Sequence, residues 1–162
     1  MDVLFLDFDG CLHPDKVRYE YGMRQPRLMA PGHELFESVA VFEAAIAPYP
    51  SIRIVLSTSW VQALGFEKTR AFLPETLQSR VIGATYDFES PDAWRWASMS
   101  RYDTIALDVA RRQPTRWLAM DDDPEGWPEN QHAALALVDS TRGLACPTSL
   151  ELLHARLRAR FP

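Results

Sequence analysis

Cysteine is scarce in this chain: Cys11 and Cys146 are the two among 162 residues. Two thiols cannot build a disulfide framework, and this pair lacks the spacing of a zinc site. A reducing compartment fits best, so a cytoplasmic location is expected. No apolar stretch is long enough to span a bilayer, and no membrane association is expected. The first residues have neither a basic flank nor a long apolar core, so no signal peptide is expected. Long basic runs are also missing. At a net charge of −5, indiscriminate polyanion binding is not the default reading. Two local basic groups exist, Lys16, Arg18, Arg24 and Arg27 early, and Arg156, Arg158 and Arg160 late. Both read first as solvated surface charge. Repeats, low-complexity tracts and linkers are absent, and with this length a single domain over residues 1–162 is expected.

What the chain does have is apolar content for a packed interior, 47% of its residues. Short apolar runs at 3–6, 52–56, 81–84, 117–120 and 134–138 read as five strands. Residues 33–47, 60–72, 101–112 and 148–161 carry helical spacing. Residues 13–32 hold several Pro and Gly and little periodicity, so they read as an irregular loop. Strands that alternate with helices pair in parallel. The expected fold is therefore α/β, a doubly wound three-layer sandwich around a central, mainly parallel five-stranded sheet.

Polar residues end three of these strands. Asp7-Phe8-Asp9-Gly10 follows the first, Ser57-Thr58-Ser59 the second and Asp121-Asp122-Asp123 the fourth. Open α/β sheets bind ligands at this edge. Asp7 and Asp9, one residue apart, suit a divalent cation and a division between nucleophile and acid. Gathered with Asp121 and Asp122, they repel one another by about 4 kcal/mol per pair at ~4 Å and an effective dielectric near 20. Such a cluster calls for a cation or shifted protonation, and hard oxygen donors favour Mg²⁺. A hydroxyl and free N–H groups after the second strand can hold phosphoryl oxygens. Arg101, opening the helix before the fourth strand, is the best cation for the same phosphate. Cys11 reads as a small buried apolar residue, with a site-lining thiol as the alternative.

In that order the four segments resemble the haloacid dehalogenase (HAD) superfamily: Asp7-Phe8-Asp9-Gly10, then Ser57, then Arg101, then Asp121-Asp122. Finer features, Leu12-His13-Pro14, Ser59-Trp60, Arg101 followed by Ile105, Asp121-Asp122-Asp123 and Gly143-Leu144, are similar to the small HAD family of Swiss Army Knife RNA repair systems. The resemblance implies a HAD-like Rossmannoid fold and an Mg²⁺-dependent phosphatase. Asp7 would be the nucleophile that forms an aspartyl-phosphate. Asp9 would protonate the leaving alcohol and then deprotonate water. Ser57 and Arg101 would hold the phosphoryl group, with Thr58 and Gly10 as further phosphate-binding candidates. Asp121 and Asp122 would hold Mg²⁺ with the Asp7 carboxylate and the Asp9 carbonyl. Dehalogenases of the superfamily lack a residue like Asp9, which favours phosphoryl transfer.

The third segment usually carries Lys, and here it carries Arg; Lys68 is a fallback that comes early in the chain. Either Ser57 or Thr58 fits the hydroxyl of the second segment. The segments between the four motifs are too short for a sizeable cap domain, so an open edge is expected, covered at most by the 13–32 loop. Such an edge admits a phosphorylated substrate as large as a nucleotide or an RNA or DNA end. Trp94, Trp96 and Trp127 fall near it, as packing residues or as a surface for a nucleobase. His13 either contacts substrate or has no role. The alternative function is a non-catalytic or phosphorylatable aspartate module for binding or signalling. The order of the motifs is the reverse of that in receiver domains and counts against it.

Overall fold

A computed structural model of the chain describes residues 1–20, 22–87, 89 and 93–162, with the backbone alone for Ala93 and Ala97. Its centre is a five-stranded sheet in the order β5-β4-β1-β6-β7. The strands are β1 (Asp2–Leu6), β4 (Ile52–Leu56), β5 (Val81–Ala84), β6 (Arg116–Asp121) and β7 (Leu135–Leu137). Every neighbouring pair in the sheet is parallel. All five residues of β1 are buried. A central parallel strand is covered on both faces, and this is why it reads as an unbroken apolar run.

The strand pleat sends alternate side chains into two cores. Leu4 and Leu6 join Ile54, Leu56, Leu118 and Met120 under α1 (Val39–Ile46) and α6 (Pro147–Arg160), which contribute Phe42, Ile46, Leu153 and Leu157. Val3 and Phe5 join Val55 and Ala119 under α5 (Arg101–Arg112), which contributes Ile105. Burying one such Leu, Ile or Phe contributes roughly 1.5–3 kcal/mol. Among the described residues, no helix is long and apolar enough to cross a membrane.

Three expected elements differ. The helix expected over 33–47 begins only at Val39. Phe36 has a left-handed backbone, φ 61°, and its N–H donates to His13 Nδ1 at 3.1 Å, so residues 35–38 form a turn. The helix expected over 60–72 is two short ones, α2 (Ser59–Leu64) and α3 (Phe66–Arg70), broken at Gly65 with φ 87°. Residues 13–32 are not wholly irregular: β2 (Val17–Arg18) and β3 (Arg27–Leu28) pair as an antiparallel hairpin. A short helix, α4 (Glu75–Gln78), precedes β5.

The topology places the site. The chain runs from β1 out to β4 and β5, then crosses back to β6 and β7. The reversal leaves a crevice at the carboxyl end of β1. Leu6 is level with Leu56 and with Met120. The pairing continues one step further, because Ser57 N–H donates to the Leu6 carbonyl and Asp7 N–H to the Met120 carbonyl. Asp7, Ser57 and Asp121 therefore stand at one level of the sheet.

Candidate active site

Asp7 is 3% exposed, and its Oδ1 accepts the N–H of Phe8 at 2.8 Å. Its Oδ2 faces Arg101 Nη2 at 3.2 Å. Arg101 reaches this position because α5 starts there, fixed by a capping box. Ser100 Oγ accepts the Asp103 N–H, and the Asp103 carboxylate accepts the Ser100 N–H. Arg101 Nη1 donates to the Ser57 carbonyl at 2.6 Å, and Nε lies 3.0 Å from Asp121 Oδ2. The last contact is an ion pair off the line of a hydrogen bond, so Asp121 Oδ2 has no hydrogen-bond partner. Asp121 Oδ1 accepts the Asp123 N–H at 3.0 Å. One planar guanidinium thus ties three strand ends together, a reach that suits Arg better than Lys.

The carboxylates outnumber this cation, and their acidity shows it. Burial, then repulsion from Asp9, pushes the Asp7 carboxyl up to about 6 against the pull of Arg101. Burial and Asp7 push Asp122 up to about 7. The same causes raise Asp121. Burial works against the charge on Arg101, but Asp7 and Asp121 outweigh it and keep the guanidinium protonated.

Asp7, Asp122 and Cys11 each offer one ligand atom, all within 4.8 Å of one another. Burial and the nearby aspartates raise the Cys11 thiol well above its usual range, so it stays a neutral thiol in the core and a poor donor to a hard cation. The two carboxylates are the fitting pair for Mg²⁺: hard, crowded and short of positive charge. Gly10 makes this pairing possible. Its φ is 72°, and a Cβ there would overlap the Asp122 carboxylate.

Asp9 turns elsewhere. Its Oδ1 accepts Trp60 Nε1–H at 2.7 Å and lies 3.0 Å from His13 Nε2. Its Oδ2 accepts the Tyr19 hydroxyl at 2.9 Å. Of the second-strand hydroxyls, Ser57 Oγ is buried and has no partner. The Thr58 hydroxyl pulls the Asp7 carboxyl down and accepts the Trp60 N–H at 3.4 Å as the cap of α2. Asp7, Asp9, Ser59, Arg101, Asp122 and Asp123 border an open cleft of about 410 Å³. A neighbouring recess of about 320 Å³ shares Ser59, Arg101 and Asp123 and reaches Trp96.

The structure brings Asp7, Asp121, Asp122, Gly10, Ser57, Thr58 and Arg101 into one site, with the Asp9 side chain at its rim. Lys68 lies on α3 and does not border the cleft. Trp127 is buried in the second core beside Tyr102 and Trp117. Trp94 is 79% exposed. Tyr19 and Trp60, which hold Asp9, escape a sequence reading. They lie 10 and 51 residues from it, and no local spacing signals such a pairing.

Carboxylates on adjacent parallel strand ends, spanned by an arginine from the returning crossover helix, define a hydrolase domain of the haloacid dehalogenase type, a superfamily that generally uses Mg²⁺. The chain belongs to the family described as the HAD domain in Swiss Army Knife RNA repair proteins, whose model matches residues 3–148. No curated protein and no solved structure matches it.

Proposed function

We propose that this domain is an Mg²⁺-dependent phosphatase that works through an aspartyl-phosphate on Asp7, with a nucleic-acid terminal phosphate as its substrate. The observation that carries the reading is the setting of Asp7. It is a buried carboxylate held by Arg101 on one oxygen and beside Asp122, with Asp9 two residues on.

An Asp7 oxygen attacks phosphorus, and the bond from phosphorus to the ester oxygen breaks. A proton that Asp9 takes up from solvent goes to that departing oxygen, which leaves as an alcohol. Water then attacks the aspartyl-phosphate and gives a proton to Asp9. Phosphate departs and the Asp7 carboxylate is restored. Arg101 and the unpartnered Ser57 hydroxyl, with Thr58 beside it, are the donors for the phosphoryl oxygens. Mg²⁺ held by Asp7 and Asp122 would offset the negative charge that the phosphate brings among these aspartates.

The substrate class rests on two supports. The family is described by its occurrence in RNA repair proteins. The cleft is open, and the inserts beside it are a short hairpin and short helices, so a strand end can enter. The test is phosphate release from an aryl phosphate, mononucleotides and 3′- and 5′-phosphorylated oligonucleotides, each with Mg²⁺ and with EDTA. Release that depends on Mg²⁺ and is fastest for an oligonucleotide end is expected. Equal rates in EDTA, or no release from any of them, contradicts the reading.

A further inference from the structure

Asp9 has two unequal oxygens. Both donors on Oδ1 are fully buried, Trp60 and His13, each 0% exposed. The His13 tautomer follows from its other nitrogen. Phe36 N–H donates to Nδ1, so Nε2 carries the hydrogen and donates to Asp9. Phe36 packs edge-on against His13, Phe8 and Trp60. That packing holds it at φ 61°, a backbone that costs about 1–2 kcal/mol outside glycine. Oδ1 is therefore locked from behind.

The partner of Oδ2 is of another kind. Tyr19 is 39% exposed and comes from the hairpin, where two residues pair on each strand. Its hydroxyl lies 2.9 Å from Asp9 Oδ2 and 3.3 Å from Ser59 Oγ. The phenol donates its O–H to Asp9 Oδ2.

The proposed reaction needs one Asp9 oxygen within about 2.6–3.2 Å of the departing ester oxygen. Oδ1 already accepts two buried donors, which leaves Oδ2. The acceptor position of Oδ2 beside Ser59 is the one that Tyr19 Oη holds. The geometry points to a leaving-oxygen subsite between Asp9 Oδ2 and Ser59, with Tyr19 as its resident occupant. The ester oxygen of a phosphorylated alcohol, and then the attacking water, enters by displacing the phenol. Tyr19 gains and loses no proton; it competes for the place and so sets which leaving groups bind. The identity of the incoming oxygen rests on the phosphatase reading, whereas the subsite rests on the contacts of Asp9.

Tyr19→Phe removes the hydroxyl and keeps the ring against Trp60. With an aryl phosphate and Mg²⁺, KM is expected to fall about three- to tenfold at constant kcat, as a competitor worth one hydrogen bond is lost. A lower kcat, or an unchanged KM, overturns the inference. A second arm needs no turnover: calorimetric titration of inorganic phosphate, whose fourth oxygen takes the same position, in the presence of Mg²⁺. Tighter phosphate binding by the variant supports the subsite even if the wild type hydrolyses none of the esters, in which case the phosphatase reading alone fails. Equal phosphate affinity with normal turnover leaves the phosphatase standing and removes Tyr19 from the subsite.

Discussion

Arg101 Nη2 stands 3.2 Å from Asp7 Oδ2, with the guanidinium side chain 17% and the carboxylate 4% exposed. The pair joins the entry of α5 to the end of the central strand, so it serves the fold as well as the chemistry. Without Arg101, two buried carboxylates lose their shared counter-charge, since Asp121 faces the same guanidinium.

Arg101→Ala is expected to lower unfolding free energy by about 3–5 kcal/mol, the usual cost of removing one partner of a buried pair. Arg101→Lys keeps the charge but cannot span Asp7, Asp121 and the Ser57 carbonyl at once, so a smaller loss is expected. Urea unfolding in EDTA measures both. Equal losses for Lys and Ala would show that the fork geometry, rather than the charge, sets the stability.

Asp122 and Asp121 should separate in metal response. Asp122 stands beside Asp7, whereas Asp121 faces Arg101 and the Asp123 N–H. Mg²⁺ is expected to raise the Tm of the wild type and to leave that of Asp122→Asn nearly unmoved. Gly10→Ala should act like Asp122→Asn, because its Cβ would displace that carboxylate. A full Mg²⁺ shift in either variant contradicts the assignment.

A pair far from the site gives a pH test. Arg116 donates to both oxygens of Asp2, at 2.9 and 2.7 Å, and these bonds hold the Asp2 carboxyl below its usual range. A depressed carboxyl stabilises the fold above its unfolded pKa, about 3.9, and that contribution disappears as pH falls through the folded value. Wild type is expected to be more stable than Asp2→Asn at pH 6, with the difference closing under acid. A difference that persists or widens at low pH refutes the pairing.

Gln113 closes α5 with a left-handed backbone, φ 49° and ψ 55°, and its N–H donates to the Val109 carbonyl. Glycine adopts that conformation without steric cost. Gln113→Gly is expected to stabilise the protein by roughly 0.5–1 kcal/mol in chemical denaturation. A destabilised variant would mean that the exposed Gln side chain does more than cap.

The elements that were legible in the sequence are those with local causes. β1 reads as a strand because both of its faces are buried. α5 begins at Arg101 because Ser100 and Asp103 form a capping box within four residues. The level of Asp7, Ser57 and Asp121 follows from three strand ends in a parallel sheet. What was hidden depends on distant partners. Phe36 leaves the helical region to serve His13, 23 residues away. Gly65, with φ 87°, splits the helix expected over 60–72 into two. The distant holders of Asp9, Tyr19 and Trp60, come from a hairpin with two paired residues per strand and from the first turn of α2, and no periodicity joins them.

The proposed reaction bonds phosphorus to Asp7. The direct measurement is a single-turnover acid quench with a phosphate-labelled substrate in Mg²⁺, followed by mapping of the labelled peptide, for the wild type and Asp7→Asn. A hydroxylamine-labile label on the peptide that holds Asp7 is expected, absent from a variant that folds and releases no phosphate. Turnover retained in Asp7→Asn, or a label on another residue, contradicts it.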